Sequence, residues 1–188
     1  MGPIEVLWFA VVLFFIFVAL VRGYPRELGV TTVIFAALFL IHFFLGRYFD
    51  ALLRPLLNVL DISPTARGLE HFKATFYSVV FLLIVFSGYA GQTFTFQGKE
   101  RKGTDGLMLN LLVGLLNGYL VAGTLWYFQH AFNYPIADFK GPDGRPLFFT
   151  MPLSPLATQL VKILPPAVVP DILWGGLLML MLLARVRR

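Results

Sequence analysis

The sequence predicts an all-α, polytopic membrane protein with four to five transmembrane helices and two short interfacial amphipathic helices. Three observations carry that prediction. Of its 188 residues, 58% are hydrophobic and only 13% are charged, whereas a soluble domain is about a quarter charged. The chain holds 20 Phe, which suit lipid-facing and helix-packing positions. Near the N-terminus, two apolar runs (residues 3–21 and 28–46) are parted by only Arg22-Gly23-Tyr24-Pro25-Arg26-Glu27. Each run is about long enough to cross a hydrocarbon core of roughly 30 Å as a helix. So short a link joins antiparallel neighbours and sets two arginines and a glutamate at one membrane face.

The first two spans are placed at residues 4–21 and 28–46. The N-terminal run lacks a basic leader and a small-residue cleavage site, so it reads as a retained span rather than a signal peptide. Residues 47–61 follow with polar positions Arg47, Asp50, Arg54, Asn58 and Asp61 opposite Leu52, Leu53, Leu56, Leu57 and Leu60. That period is amphipathic and helical, and a helix with so charged a face is expected to lie in the interface. Pro55 is expected to bend it by removing one backbone bond. Asp50 and Arg54 are spaced as an i,i+4 pair, and residues 62–65 should end the helix.

The third span is placed at residues 72–94, where Ser78, Ser87, Gly88 and Gly91 mark close packing. A charged connector, residues 97–105, leads to the fourth span at residues 106–128, with Thr104 or Asp105 as its cap. Asn110, Gly114, Gly118 and Ala122 recur along the fourth span at strict i+4 spacing. Gly-xxx-Gly lets two helix backbones approach closely. The expected partners are accordingly the lipid bilayer and, through the Gly114/Gly118 face, another membrane protein or a second copy.

Between residues 129 and 166 the pattern breaks. Pro142-Asp143-Gly144 is a turn signal and suggests a small hairpin. Ser154-Pro155 reads as a helix cap and first position, with Leu156, Leu160, Ile163 and Leu164 as the apolar face until Pro165-Pro166 stops it. The domain division is therefore a four-span unit at 1–166, containing the interfacial helix 47–61 and the surface segment 129–166. Residues 167–188 form a fifth span, or a re-entrant or interfacial helix, with a basic tail. Arg22, Arg26, Lys99, Arg101 and Lys102 flank the spans on one side, which predicts that the first turn is cytoplasmic, the N-terminus out and the C-terminus in.

Composition excludes several chemistries. With no cysteine, disulfides, thiol catalysis and thiolate metal sites are out. The net charge of +5 is scattered over loops and tail and flanks the membrane, so no nucleic-acid partner is expected. His42, His71 and His130 each lie near a span end with no metal-binding spacing; interfacial hydrogen bonding is their expected role, and neither metal nor cofactor is expected. Glu5, Arg22 and Glu27 all lie where they can reach an interface, which argues against an ion-coupled transporter. Asn110 and Asn117 either bridge helices or line a pore. No nucleophile–base pair, phosphate loop or dinucleotide fingerprint is present, so no catalytic residue is expected.

The Arg22-Gly23-Tyr24-Pro25-Arg26-Glu27 turn resembles the Arg-Gly-x-x-Arg-Glu turn of the colicin V production family, small bacterial membrane proteins. Asp105, the Gly114-x-x-x-Gly118 stripe and Ser154-Pro155-Leu156 are similar to further motifs of that family, and together these cover most of residues 4–165. The chain departs from the family's pattern at Gly106, Asn110 and Asn117, in a one-residue offset between Asp105 and the glycines, and in the tail from Asp171. The resemblance implies a non-enzymatic protein of the bacterial inner membrane that supports toxin production, export or envelope homeostasis. Accessory subunit of a larger membrane assembly and small homo-oligomeric channel lined by Asn110 and Asn117 are the other readings.

Overall fold

The computed structural model describes residues 3–59, 65–90, 103–149 and 151–186. The helix end at 60–64, the connector at 97–102, the third span beyond Ala90 and the tail residues Arg187 and Arg188 lie outside them. Among the described residues, four helices are long and apolar enough to cross a membrane. The chain is an all-α, polytopic membrane protein.

Helix α1 (Ile4–Arg22) and helix α2 (Tyr24–Phe39) meet at Gly23, which has φ +83°. An L side chain rarely adopts that angle, so glycine makes the hairpin tight. Gly23 N–H donates back to Ala19 O at 2.9 Å, which closes α1, and Pro25 in the first turn of α2 needs no amide partner there.

The second span does not stop at Gly46. After α2 the chain passes through a π-helical turn (Leu40–Leu45) directly into α3 (Gly46–Val59). The 32-residue stretch Tyr24–Pro55 is about 48 Å long at 1.5 Å per residue, more than a bilayer core. The expected interfacial helix is thus the continuation of a span. Its amphipathic period holds: Phe49 and Leu53 are buried while Arg47, Asp50 and Arg54 are exposed. Asp50, however, pairs with Lys73 at 2.6 Å, not with Arg54, because α4 (Ala66–Ala90) packs across this face.

Helix α5 (Thr104–Ala131) is the central post. Its N-cap is Gly103, without a side-chain cap; Thr104 and Asp105 fall inside the first turn. The glycine stripe is filled from within the chain. A Cβ on Gly118 would lie 2.8 Å from both Val12 Cα and Val12 O, and one on Gly114 would lie 2.8 Å from Ile16 Cα. The face expected to receive another protein is occupied by α1, because a helix joined to α2 by one residue is already beside it. The main core joins α2, α4 and α5 through Ile34, Leu38, Phe81, Val85, Val121 and Phe128.

The segment after α5 closes one end of the bundle. Asn133 and Tyr134 take left-handed conformations, a strained choice for non-glycine residues. They are held from α4: Asn133 Nδ2 donates to Glu70 at 2.6 Å, and Arg67 Nη1 donates to Asn133 O at 3.1 Å. Arg67 also bonds Asp138 at 2.8 Å, and His71 lies 2.7 Å from the same carboxylate. These two partners, Arg67 foremost, hold the Asp138 carboxyl down at about 2. The Pro-Asp-Gly turn forms as expected, with Lys140 bridging Pro146.

Ser154 caps α6 (Pro155–Leu160) by accepting from Ala157 N at 3.0 Å. The buried face is Ala157, Val161 and Leu164, whereas Leu156 and Ile163 point outward. A 3-10 turn at Val161–Ile163 shortens the period and rotates the face. Pro165 does not end the segment; it begins α7 (Pro165–Val168) and packs on Gly123 of α5. Helix α8 (Asp171–Val186) then runs back along α2, with Trp174 against Phe35 and Gly175 against Phe39. Its 16 residues span about 24 Å, and α7 with the break at Val169 keeps residues 167–170 from extending it.

Gly118→Leu is expected to lower stability by about 1–3 kcal/mol, because the new side chain meets backbone that cannot turn aside. Gly176→Ala is expected to be neutral or slightly stabilising, since nothing lies within 4 Å of its added Cβ. Thermal unfolding in mild detergent separates the two; equal losses would contradict the α1–α5 contact.

Candidate functional site

The polar residues singled out in the turn and on the fourth span converge on one carboxylate. Glu27 lies one turn into α2 and is 0% exposed. Its Oε2 accepts from Tyr89 OH at 3.0 Å and from Asn117 Nδ2 at 3.0 Å. Its Oε1 lies 3.1 Å from Arg22 Nε, an ion pair held by charge without an aligned hydrogen bond. The guanidinium also sits 4.6 Å from the centre of the Tyr89 ring, a cation–π contact.

Asn117, also 0% exposed, is spent on the same residue. Its amide group donates both to the Glu27 carboxylate and to Glu27 O, at 3.1 Å. Its Oδ1 accepts from Thr31 Oγ1 at 2.7 Å. Thr31 Oγ1 is also 3.0 Å from Glu27 O, but a hydroxyl has one proton. The shorter contact to Asn117 takes it, because Glu27 O is already served by the amide. Asn110, seven residues earlier on α5, accepts from Tyr24 N at 2.7 Å. It does in trans what a cap residue does locally, since Gly23 has no side chain to cap α2.

The structure therefore brings together Arg22, Gly23, Glu27, Asn110 and Asn117, beside Gly114 and Gly118. It leaves Arg26 and Asp105 exposed at the same end. Asn117 is buried and committed to Glu27 and Thr31, and the half-buried Asn110 holds the α2 terminus through its Oδ1. Thr31 and Tyr89 were missed by sequence reasoning. The only signals were a Thr one turn beyond Glu27 and a Tyr beside Gly88.

A second carboxylate is also more buried than its place near a helix start suggests. Glu5 is 6% exposed and accepts from Ser154 Oγ, so α6 covers it. His71 and His130 find partners as expected, Asp138 and Tyr134 respectively. Among the described residues, no group of three His, Asp or Glu could hold a metal ion.

The arrangement is a fully buried carboxylate of α2 paired with a partly exposed guanidinium of α1 and hydrogen-bonded by donors from α4 and α5. A buried charge that loses its partner is heavily penalised, by about 3–5 kcal/mol. Arg22→Met is expected to destabilise by that amount. Tyr89→Phe removes one charge-assisted bond and is expected to cost about 1.5–3 kcal/mol. Arg26→Ala is expected to stay within about 0.5 kcal/mol. Detergent-titrated unfolding reads all three, and equal losses at Arg22 and Arg26 would contradict the assignment.

No family model, curated protein or solved structure matches the chain.

Proposed function

We propose that the chain is a non-enzymatic protein of the bacterial cytoplasmic membrane, of the colicin V production type, supporting toxin production, export or envelope homeostasis. One observation carries the reading. The residues of the resemblance divide into a buried half that locks the bundle and an exposed half that presents charge. Arg22, Gly23, Glu27, Gly114 and Gly118 are used internally. Arg26 and Asp105 lie in the first turns of the second and fourth spans and are exposed. A partner is recognised there by these exposed charges rather than by the glycine face, which α1 fills. In this reading the turn is cytoplasmic, and α8 carries the C-terminus back toward the same side.

The test is expression in bacteria lacking a colicin V production protein. Wild-type chain is expected to restore toxin production. Arg26→Ala with Asp105→Ala is expected to lose restoration while membrane insertion and thermal stability remain unchanged. Failure of the wild-type chain to restore, despite normal insertion, would sink the proposal.

A further inference from the structure

At the end of the bundle away from the Arg22–Glu27 lock, a cavity of about 250 Å³ opens between the π-helical turn with α3, α4 and the end of α5. Its lining combines aromatic rings, one imidazole and one ion pair. Phe49 and Tyr77 face each other with ring centres 5.2 Å apart, and Tyr77 continues to Phe128 at 5.7 Å. His42 stacks near Phe128 at 6.1 Å and Tyr127 at 5.7 Å. Asp50 and Lys73, 2.6 Å apart, also line the cavity.

Two independent features mark it as built. His42 lies on the π-helical turn, a rare irregularity that is frequent at functional sites. Its Nδ1 is 3.6 Å from Asp171 Oδ1, while its Nε2 is buried and has no hydrogen-bond partner. A buried polar atom without a partner is penalised, and a ligand atom that bonds it removes the penalty. A pocket of mostly apolar walls with few convergent polar groups is the usual form of a small-molecule site.

We propose that this cavity holds the ring of a membrane-soluble quinone or quinol. Aromatic walls select a planar ring, which stacks in offset or edge-on geometry. The Asp50–Lys73 pair leaves the lining without net charge, so a neutral head is favoured over an ionic one that would have to break the pair. A turn of the His42 ring, which lines the cavity, opens its Nε2 to either form: it accepts from a quinol hydroxyl when the proton sits on Nδ1. With the proton on Nε2 instead, the neutral ring donates to a quinone carbonyl. The cavity sits where spans end, so an isoprenoid tail stays in the bilayer. The proposal concerns binding and does not depend on the resemblance to any family.

The full chain, labelled with ¹⁵N-histidine in nanodiscs, provides the test, with decylubiquinone and dodecanoate as probes. The protein has three histidines, and His42→Phe assigns the signal. Decylubiquinone is expected to shift the His42 imidazole resonances saturably and leave His71 and His130 in place; dodecanoate is expected to move none. Gly46→Leu and Ala131→Leu add bulk from opposite walls; at Gly46 an added Cβ meets nothing nearer than Ile41 O at 3.7 Å. Each is expected to abolish the shift, with unchanged His71 and His130 signals reporting the fold. Absence of a saturable His42 shift, an equal shift at all three histidines, an equal response to dodecanoate, or a shift surviving both filled variants would overturn the proposal.

Discussion

Glu27 is a fully buried carboxylate in a chain built to sit in hydrocarbon, and the bundle is arranged around keeping it satisfied. An ionised carboxylate taken out of water is expensive unless it is paired and hydrogen-bonded. The partners come from three other helices: Arg22 closes α1, Tyr89 ends α4 and Asn117 lies inside α5. Satisfying one residue of α2 therefore sets the register of every long helix against it. In lipid, apolar contacts alone do not specify helix partners strongly, since the tails are equally apolar. A polar knot at one end supplies the specificity that greasy faces lack.

The remaining contacts follow from that register. With Asn117 docked on Glu27, Gly114 and Gly118 come level with Ile16 and Val12, and α1 can lie backbone to backbone on α5. At the other end a second, more exposed network pins the chain after α5 to the start of α4 through Arg67, Glu70, Asn133 and Asp138. The knot and the network bracket the apolar core from opposite ends. The aromatic cavity around His42 sits beside the second bracket, where the π-helical turn widens the helix.

The spans were legible because hydropathy and length alone set them. The junction at Gly46 was not, since an amphipathic period looks the same in a separate interfacial helix and in a span that runs on. The burial of Glu27 was hidden for a related reason. A charge one turn inside a span can reach either headgroups or a neighbour, and only the neighbour's side chains decide. Arg22, Asn110 and Asn117 were visible as polar residues in apolar surroundings, but Thr31 and Tyr89 are ordinary in such runs. Leu156 and Ile163 were read as part of the apolar face of a surface helix, whereas the 3-10 turn at Val161–Ile163 leaves Ala157, Val161 and Leu164 as the face buried against the bundle. The glycine stripe was read correctly as a packing face, while its occupant, α1, follows from the one-residue hairpin link rather than from any feature of α5.

The central claim is that Glu27 and Asn117 act as one unit. A double-mutant cycle tests it most directly, with Glu27→Leu, Asn117→Leu and the pair compared by unfolding in detergent. The account predicts that the double variant loses far less stability than the two single losses added together, with a coupling of about 2 kcal/mol or more, within the range for residues sharing one network. Single effects that add to within about 0.5 kcal/mol would contradict it.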